Sequence, residues 1–236
     1  MKADGSHRPP GGERRGGVSP ITVKRLSLYL RQLEELAEDG RSTISSRQLS
    51  KALGLTDAQV RKDLAYFGQF GRPGVGYQVA ELADHLRSIF GTDRISHVAV
   101  VGVGNLGSAL LRYRGWMTKG FRVVAAFDSA ASKIGRKFGN ITVQPMSKLA
   151  AAARAGHIRL AILAVPAAVA QKVADEVCRA GIEGILNFAP ITLSLPPEVA
   201  VIPVDLAVQL EQLSYLANPS NSQRKRNPGS RRRRQS

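Results

Sequence analysis

Val98-Ala99-Val100-Val101-Gly102-Val103-Gly104-Asn105-Leu106-Gly107 is the stretch that decides how this 236-residue chain is read. An apolar, valine-rich run stops at a glycine, and Gly102, Gly104 and Gly107 then follow in G-x-G-x-x-G spacing. The physical reading is a buried strand, a tight turn and the start of a helix. Gly102 permits the turn and Gly104 lets the backbone approach a pyrophosphate. Gly107 lets the helix pack close to the sheet, with its first N–H groups facing the phosphates. The spacing alone carries little, because a purely structural turn can share it. Its context adds weight: Phe121 to Phe127 is a second apolar run and ends in Asp128, 26 residues after Gly102. An acidic residue about there, after the crossover helix, is what holds the ribose of a dinucleotide. The predicted dinucleotide site is therefore Gly102, Val103, Gly104, Asn105, Leu106 and Gly107 with Asp128.

From His97 to about Val204 strands and helices alternate. The candidate strands are His97–Val101, Phe121–Phe127, Ile141–Gln144, Leu160–Val165, Gly184–Asn187 and Val199–Val204. Helices between most of them predict an α/β, mainly parallel, doubly wound sheet of Rossmann type. Ligands of such sheets lie beyond the carboxyl ends of the strands. Two further ends are Ala164-Val165-Pro166 and Asn187-Phe188-Ala189-Pro190, placed to flank the nicotinamide half of a dinucleotide. Pro166 and Pro190 also read as plain turn residues. A last helix from about Asp205 to Ala217 carries Leu206, Leu210, Leu213 and Ala217 on one stripe. It follows the completed sheet and needs an apolar surface, supplied either by a partner subunit or by the chain's own core.

The N-terminal half has a different grammar. Ser19-Pro20 gives an N-cap and a proline at the first helical position. Leu26, Leu30, Leu33 and Ala37 follow at helical spacing to Gly40. Ser45 with Gln48 forms a capping-box pattern opening a second helix to Gly54, and Thr56 with Gln59 opens a third, from Asp57 to about Phe67. The region from about Tyr29 to Gly68 is thus a helix-turn-helix. In its third helix Val60, Leu64 and Phe67 face the core, leaving Gln59, Arg61, Lys62 and Tyr66 outward for phosphates and base edges. The glycine-rich segment Gly68 to Tyr77 reads as a wing between two short extended pieces, with Arg72 at its tip. The alternative is a small helical bundle with an ordinary charged face. Val79 to Phe90 is one more amphipathic helix, joining the two modules.

Charge agrees with a polyanionic partner only after it is located. Of the net +16, the stretch from Asn218 to Ser236 carries +7 and the first twenty residues +2, leaving +7 for the folded body. The arginine-rich end is read as a nonspecific electrostatic aid to DNA binding. The domain reading is a disordered tail (1–18), a winged-helix DNA-binding domain (19–91), a Rossmann NAD(H)-binding domain (92–204), a dimerisation helix (205–217) and a basic tail (218–236). Cys178, the single cysteine, excludes an intramolecular disulfide and is read as a packed side chain in a reducing compartment. No apolar run approaches the ~20 residues of a membrane span, so a cytoplasmic protein with no membrane partner is expected.

Enzyme chemistry is a poor fit. Hydride transfer needs a substrate pocket and normally an acid/base side chain beside the nicotinamide. The sheet uses about 110 residues and the head and last helix use the remainder, leaving no substrate domain. His7, His85, His97 and His157 all fall away from the strands' carboxyl ends. No catalytic and no metal site is expected; the nucleotide is sensed and not turned over.

With both halves read, the chain resembles the Rex family of redox-sensing transcriptional repressors over about residues 19 to 217. The motifs are Gln59-Val60-Arg61-Lys62-Asp63-Leu64-Ala65-Tyr66-Phe67-Gly68, Gly74-Val75-Gly76-Tyr77, Gly102 to Gly107, Lys133-Ile134-Gly135 and Gly184-Ile185-Leu186-Asn187-Phe188-Ala189-Pro190. The resemblance implies a homodimer with a domain-swapped C-terminal helix, bound to an inverted-repeat double-stranded DNA operator upstream of respiratory and NADH-reoxidising genes. NADH would release the DNA, and NAD⁺ would compete without releasing it. It also implies that Arg61 and Lys62 contact bases and phosphates, with Arg25 a further DNA contact. By the same resemblance Lys133 joins the cofactor-binding residues. Tyr113, Arg31 and the partner's Asp205 match positions coupling nicotinamide state to the head. The chain departs from the family at Ala130-Ala131, where the loop often reads Asp-Pro, and Lys133 and Arg136 bear on how strongly NADPH is excluded. The alternatives are a Rossmann oxidoreductase with an appended head, and a sensor of another nucleotide such as coenzyme A.

Overall fold

The structure, a computed structural model, describes residues 18–72 and 74–218. Apart from Val18 and Asn218, both expected tails lie outside the described residues. The chain divides into two compact units, Met1–Asp93 and Arg94–Ser236.

The first unit starts where Ser19 Oγ accepts the Thr22 N–H at 3.1 Å, opening α1 (Pro20–Glu38). After β1 (Thr43–Ile44) comes α2 (Ser46–Leu53), whose capping box is complete. Gln48 N donates to Ser45 Oγ at 3.1 Å and Ser45 N donates to Gln48 Oε1 at 2.9 Å. Gly54 closes α2 in the left-handed region at φ 66°. Thr56 Oγ1 caps α3 (Asp57–Ala65), and β2 (Tyr77–Gln78) leads into α4 (Val79–Phe90). Leu26, Tyr29, Leu33, Leu49, Val60, Leu64, Leu82 and Leu86 form the core.

Three sequence expectations shift here. The buried stripe of α1 is Leu26, Tyr29 and Leu33, whereas Ala37 is exposed. The third helix ends at Ala65, so Tyr66 and Phe67 belong to the turn after it. Among the described residues the wing's extended pieces meet at an Arg72–Gly76 bridge, and β2 pairs antiparallel with β1. The cause is backbone approach: a Cβ at Gly76 (φ 92°) would lie 2.5 Å from the Ile44 carbonyl oxygen. Only glycine lets the chain run in beside β1.

The second unit is a seven-stranded sheet: β3 (Ser96–Val101), β4 (Phe121–Asp128), β5 (Lys137–Phe138), β6 (Ile141–Pro145), β7 (Leu160–Leu163), β8 (Gly184–Asn187) and β9 (Ala200–Pro203). Its order is β5-β6-β4-β3-β7-β8-β9, parallel throughout except for β5 on β6. Set β5 aside and this is the doubly wound order with its switch point between β3 and β7. Helices α5 (Asn105–Arg112), α6 (Leu149–Ala155) and α7 (Ala167–Arg179) accompany the strands, and α8 (Leu206–Ala217) follows them. Cys178, expected to be packed, is only partly buried on α7.

At the switch point, Gly102 sits at φ 93° and a Cβ there would collide with the Ala164 carbonyl. A Cβ at Gly107 would collide with the Gly102 carbonyl oxygen, whereas one at Gly104 would meet nothing within 4 Å. The first and third glycines therefore serve packing and the second leaves space. Gly107→Ala should lower the unfolding free energy by about 3 kcal/mol through overpacking. Gly104→Ala should stay within about 0.5 kcal/mol of the parent. Urea unfolding followed by Trp116 fluorescence distinguishes them, and equal losses would contradict this division of roles.

Candidate functional sites

The first site lies at the carboxyl ends of β3, β4 and β7. Gly102 N donates to Phe127 O and Ala164 N to Val101 O, both at 2.8 Å, locking the three ends together. Asp128, 6 % exposed at the end of β4, accepts the Val103 N–H at 2.7 Å and the Ala130 N–H at 2.8 Å, and Lys133 Nζ lies 3.0 Å from it. Burial pushes this carboxyl up, but the Ala130 and Val103 amides and the Lys133 ammonium outweigh it, leaving it below the usual carboxylate range. It is therefore ionised at neutral pH. Asn105 and Leu106 are exposed at the start of α5, and a Cβ at Gly104, its N-cap, would meet nothing within 4 Å. A loop closed against protein at Gly102 and Gly107, open at Gly104, and ending in a helix N-terminus has the shape and field that a pyrophosphate needs.

The ends of β7 and β8 complete this edge. Val165 is partly buried and Pro166 opens α7. Asn187, 1 % exposed, is committed to its own loop: Nδ2 donates to the Ala189 and Ile191 carbonyls at 3.1 and 2.9 Å, and Oδ1 accepts the Ala189 N–H at 2.9 Å. It holds Phe188 and Ala189 in place. A cavity of about 450 Å³ opens beside that loop, lined in part by Asn187, Ala189, Ile191, Asp205 and Val208. Asp205 caps α8, its Oδ1 accepting the Ala207 and Val208 N–H groups at 2.9 and 3.2 Å. Tyr113, 59 % exposed at the end of α5, stands edge-on to Trp116 with ring centroids 5.1 Å apart. His97 and His157 lie at or before the amino ends of β3 and β7. Among the described residues no group of three or more His, Cys, Asp or Glu could hold a metal ion.

The second site is on the first unit. Arg61, Lys62 and Tyr66 are exposed on and just after α3, and Arg72 is exposed on the wing. A cleft of about 610 Å³ separates α3 from the wing, with Arg61, Gly68 and Arg72 on its walls. Arg61 Nη1 meets Asp57 Oδ2 at 2.7 Å and Ser46 Oγ at 3.3 Å, so a nucleic acid must compete for it. Arg31 is 75 % exposed, with Nε 3.7 Å from Glu35. Arg25 and Gln59, both expected at the DNA face, are each hydrogen-bonded to Asp63. Arg25 Nε and Nη2 reach its oxygens at 2.6 and 2.8 Å, Gln59 Nε2 at 2.7 Å and the Tyr29 hydroxyl at 2.8 Å.

Asp63 is a structural residue that the motif by itself does not reveal. It lies on the apolar face of α3, three residues after Val60 and four before Phe67, which is the signal that it is buried. Burial raises its pKa, but the bonds from Arg25, Tyr29 and Gln59 outweigh this and hold it below the usual range. The same contacts raise Arg25, and burial followed by the Asp63 bond raises Tyr29.

The comparisons with known proteins follow the same division. Two family models match: "Putative DNA-binding protein N-terminus" over residues 17–65 and "CoA binding domain" over residues 93–191. A redox-sensing transcriptional repressor Rex from Carboxydothermus hydrogenoformans is 50 % identical over 198 residues, covering 84 % of this chain and 95 % of that protein. This chain belongs to the Rex family. A second Rex, from Desulforamulus reducens, is 44 % identical over 84 % of this chain and 94 % of its own. Among solved structures, the Rex-family repressor RSP in complex with β-NAD⁺ and operator DNA superposes with a TM-score of 0.82 at 36 % identity. It covers 92 % of this chain and all (100 %) of that one. RSP in complex with β-NADH gives 0.80 at 35 % identity, covering 89 % and 99 %. The α/β architecture is thus the Rex one, a DNA-binding N-terminal domain followed by a Rossmann-like domain.

Removing Asp63 leaves the partly exposed Arg25 guanidinium and the buried Tyr29 hydroxyl without their acceptor. Asp63→Ala should therefore destabilise this Rex-family head by about 3–5 kcal/mol. Because the folded pKa lies below the unfolded value of about 3.9, the stabilisation is full above that value. It is lost as pH falls through the folded pKa. Denaturant unfolding between neutral and acidic pH should show that acid-side loss in the parent and a flatter profile in Asp63→Ala.

Proposed function

We propose that this Rex-family repressor binds an inverted-repeat, double-stranded DNA operator as a homodimer and is released from it by NADH. NAD⁺ competes for the same site without releasing DNA. The observation that carries the reading is the cradle around Gly104, with the ionised Asp128 at its rim, in one chain with a helix-turn-helix presenting Arg61 and Lys62. The cofactor residues of this reading are Gly102 to Gly107, Asp128 and Lys133 for the adenosine and pyrophosphate. Val165, Pro166, Asn187, Phe188, Ala189 and Tyr113 serve the nicotinamide side, Asn187 by shaping its loop. Arg61, Lys62, Tyr66 and Arg72 meet DNA directly; Arg25 and Gln59 act through Asp63 and whatever donors it leaves them. Arg31, Tyr113 and the partner's Asp205 couple the two sites.

The nucleotide is an effector in this reading, bound and not turned over; the described histidines, His85, His97 and His157, all lie away from the carboxyl ends of the strands. Dimerisation is supported by α8, on which Leu206, Val208, Leu210, Leu213, Tyr215 and Leu216 are 41–67 % exposed in the single chain. In this function residues 19–91 bind DNA, 92–204 bind the dinucleotide and 205–217 dimerise. Among the described residues no helix is long and apolar enough to cross a membrane, and a cytoplasmic repressor of respiratory and NADH-reoxidising genes fits. The match to a "CoA binding domain" model keeps coenzyme A as a second ligand to test.

A ligand shifts a two-state dimer only by its differential affinity for the two states. Reversing a 99:1 preference takes about 5.5 kcal/mol. NAD⁺ and NADH differ by a ring charge and a hydride, so the discriminating contact lies at the nicotinamide. Titration of an operator complex at fixed salt should show release by NADH, with neither NAD⁺ nor coenzyme A releasing it. Asp128→Ala should weaken both nicotinamide nucleotides, and Tyr113→Phe should mainly blunt the NADH response. Undiminished NADH sensitivity in Tyr113→Phe would remove that residue from the mechanism. Lys62→Ala should weaken operator and random DNA alike and reduce the salt slope by about 1. A loss confined to the operator would make Lys62 a base reader instead.

A further inference from the structure

The helix that presents Arg61 also carries an acid at its leading end. Asp57 is the first residue of α3, and the N-terminal residues of a recognition helix are those that come nearest the bases. In the DNA reading a carboxylate there faces phosphates, which weakens binding to every sequence alike. Its bonds show what is gained in exchange. Asp57 Oδ1 accepts the Ala58 N–H at 2.9 Å, which fixes the carboxylate, and Oδ2 accepts Arg61 Nη1 at 2.7 Å, one helical turn on. Arg61 Nη1 donates also to Ser46 Oγ at 3.3 Å, so that nitrogen is held between α2 and α3. The bond from Arg61 is the main cause that holds the Asp57 carboxyl below the usual carboxylate range, so the acid is ionised at neutral pH. The two side chains are 46 % and 55 % exposed, and pairs so open to water contribute little to folding.

A guanidinium has five N–H donors in a rigid fork, and Nη1 supplies two of them. Asp57 and Ser46 take those two, and neither contact uses the Nη2 and Nε donors. A pair of parallel donors is what the O6 and N7 atoms of guanine take from an arginine. A nucleic acid must compete for Nη1, whereas the edge formed by Nη2 and Nε is left for a base. A side chain pinned at one nitrogen also has less rotamer freedom to lose when it binds. Gln59 is held by the same spacing, its Nε2 on Asp63 Oδ1 at 2.7 Å, four residues on. We propose that Asp57 is a positioning and specificity-determining residue for DNA: it gives up affinity for phosphate in general and orients the Arg61 fork toward one base. The inference rests on the DNA-binding reading above.

The test selects duplexes from a random pool with the full parent chain. It then measures affinity for the selected inverted repeat and for a random duplex of equal length over a range of salt. Asp57→Asn removes the charge and keeps an oxygen for the Ala58 amide; thermal melting checks that it folds. In Asp57→Asn affinity for the random duplex should rise about threefold, the order of one charge at a salt-screened surface, and its salt dependence should steepen. The ratio of selected to random affinity should fall about tenfold, within what one bidentate arginine contact discriminates. Reselection with Asp57→Asn should lose the preference at one symmetric pair of positions, and Arg61→Ala should lose it at the same pair. Asp57→Glu keeps a charge at the same spacing from Arg61 and should restore the ratio to within about threefold of the parent. An unchanged ratio in folded Asp57→Asn overturns the inference, as does an equal fall in both affinities, the mark of a purely structural residue. A preference that survives Arg61→Ala and is lost in Asp57→Asn overturns it too, because Asp57 is then the base reader itself. Asp57→Ser provides a second route, with the same expected and overturning results, if Asp57→Asn does not fold. A parent that selects no sequence from the pool overturns the DNA-binding reading and this one with it.

Discussion

The second unit is organised by one contact that tolerates no side chain, the start of α5 lying against the turn at the end of β3. Gly107 rests on the Gly102 carbonyl, and Gly102 rests on the Ala164 carbonyl at the end of β7. Two glycines thus bring helix α5 and strands β3 and β7 to one place, and the topology makes that place the switch point of the sheet. The Val103 amide is then turned toward β4, where Asp128 receives it at 2.7 Å. Any Cβ at Gly102 or Gly107 would push the helix away and take the donor from its acceptor.

Each unit keeps one buried carboxylate below the usual range, and the partners of each decide its use. Asp63, 3 % exposed, is bonded by three side chains from α1 and α3 and faces core residues on its own helix. Its function is to tie α1 to the helix that presents Arg61 and Lys62. Asp128, 6 % exposed, is bonded by two backbone amides and one lysine, at the rim of a loop left open at Gly104. A lysine ammonium can be exchanged for sugar hydroxyls at modest cost, whereas the Asp63 network cannot open without exposing the core. Two acids of similar burial therefore separate into a tie and, in the proposed function, a binding group.

Much of this was legible in the sequence because it is local. Ser45 with Gln48, Thr56 with Gln59 and the glycine spacing are short patterns with one geometric solution each, and the positions of β3, β4, β6, β7, β8 and β9 follow from apolar runs. The rest depends on contacts distant in sequence. Asp63 meets Arg25 across 38 residues. The β1–β2 pair is two residues long on each side and set by a backbone approach at Gly76. β5 is equally short, and such pairs leave no periodicity to read. Asn187 reads as a ligand contact at a strand end, yet its amide is spent on the Ala189 and Ile191 backbone. The carboxyl-end rule locates a site without saying which polar atoms remain free.

The single chain also leaves two apolar surfaces uncovered, and they bear on the proposed dimer. One is the α8 stripe, with Leu206, Leu210, Leu213 and Leu216 each at least 60 % exposed. The other is a cleft of about 290 Å³ on the sheet, lined in part by the incompletely buried Trp116, Phe121, Leu186 and Ile202. Monomeric proteins rarely leave contiguous apolar area of this kind in water, and burying it contributes roughly 25 cal/mol per Å². A helix that follows the finished sheet, capped by Asp205 and left without a surface in its own chain, suits a partner. That cap lies in the wall of the cavity beside the Asn187 loop. The nicotinamide side of the proposed cofactor site and the root of the proposed dimer helix are therefore one region. In the proposed function, a change of nicotinamide charge would act where the proposed dimer helix begins.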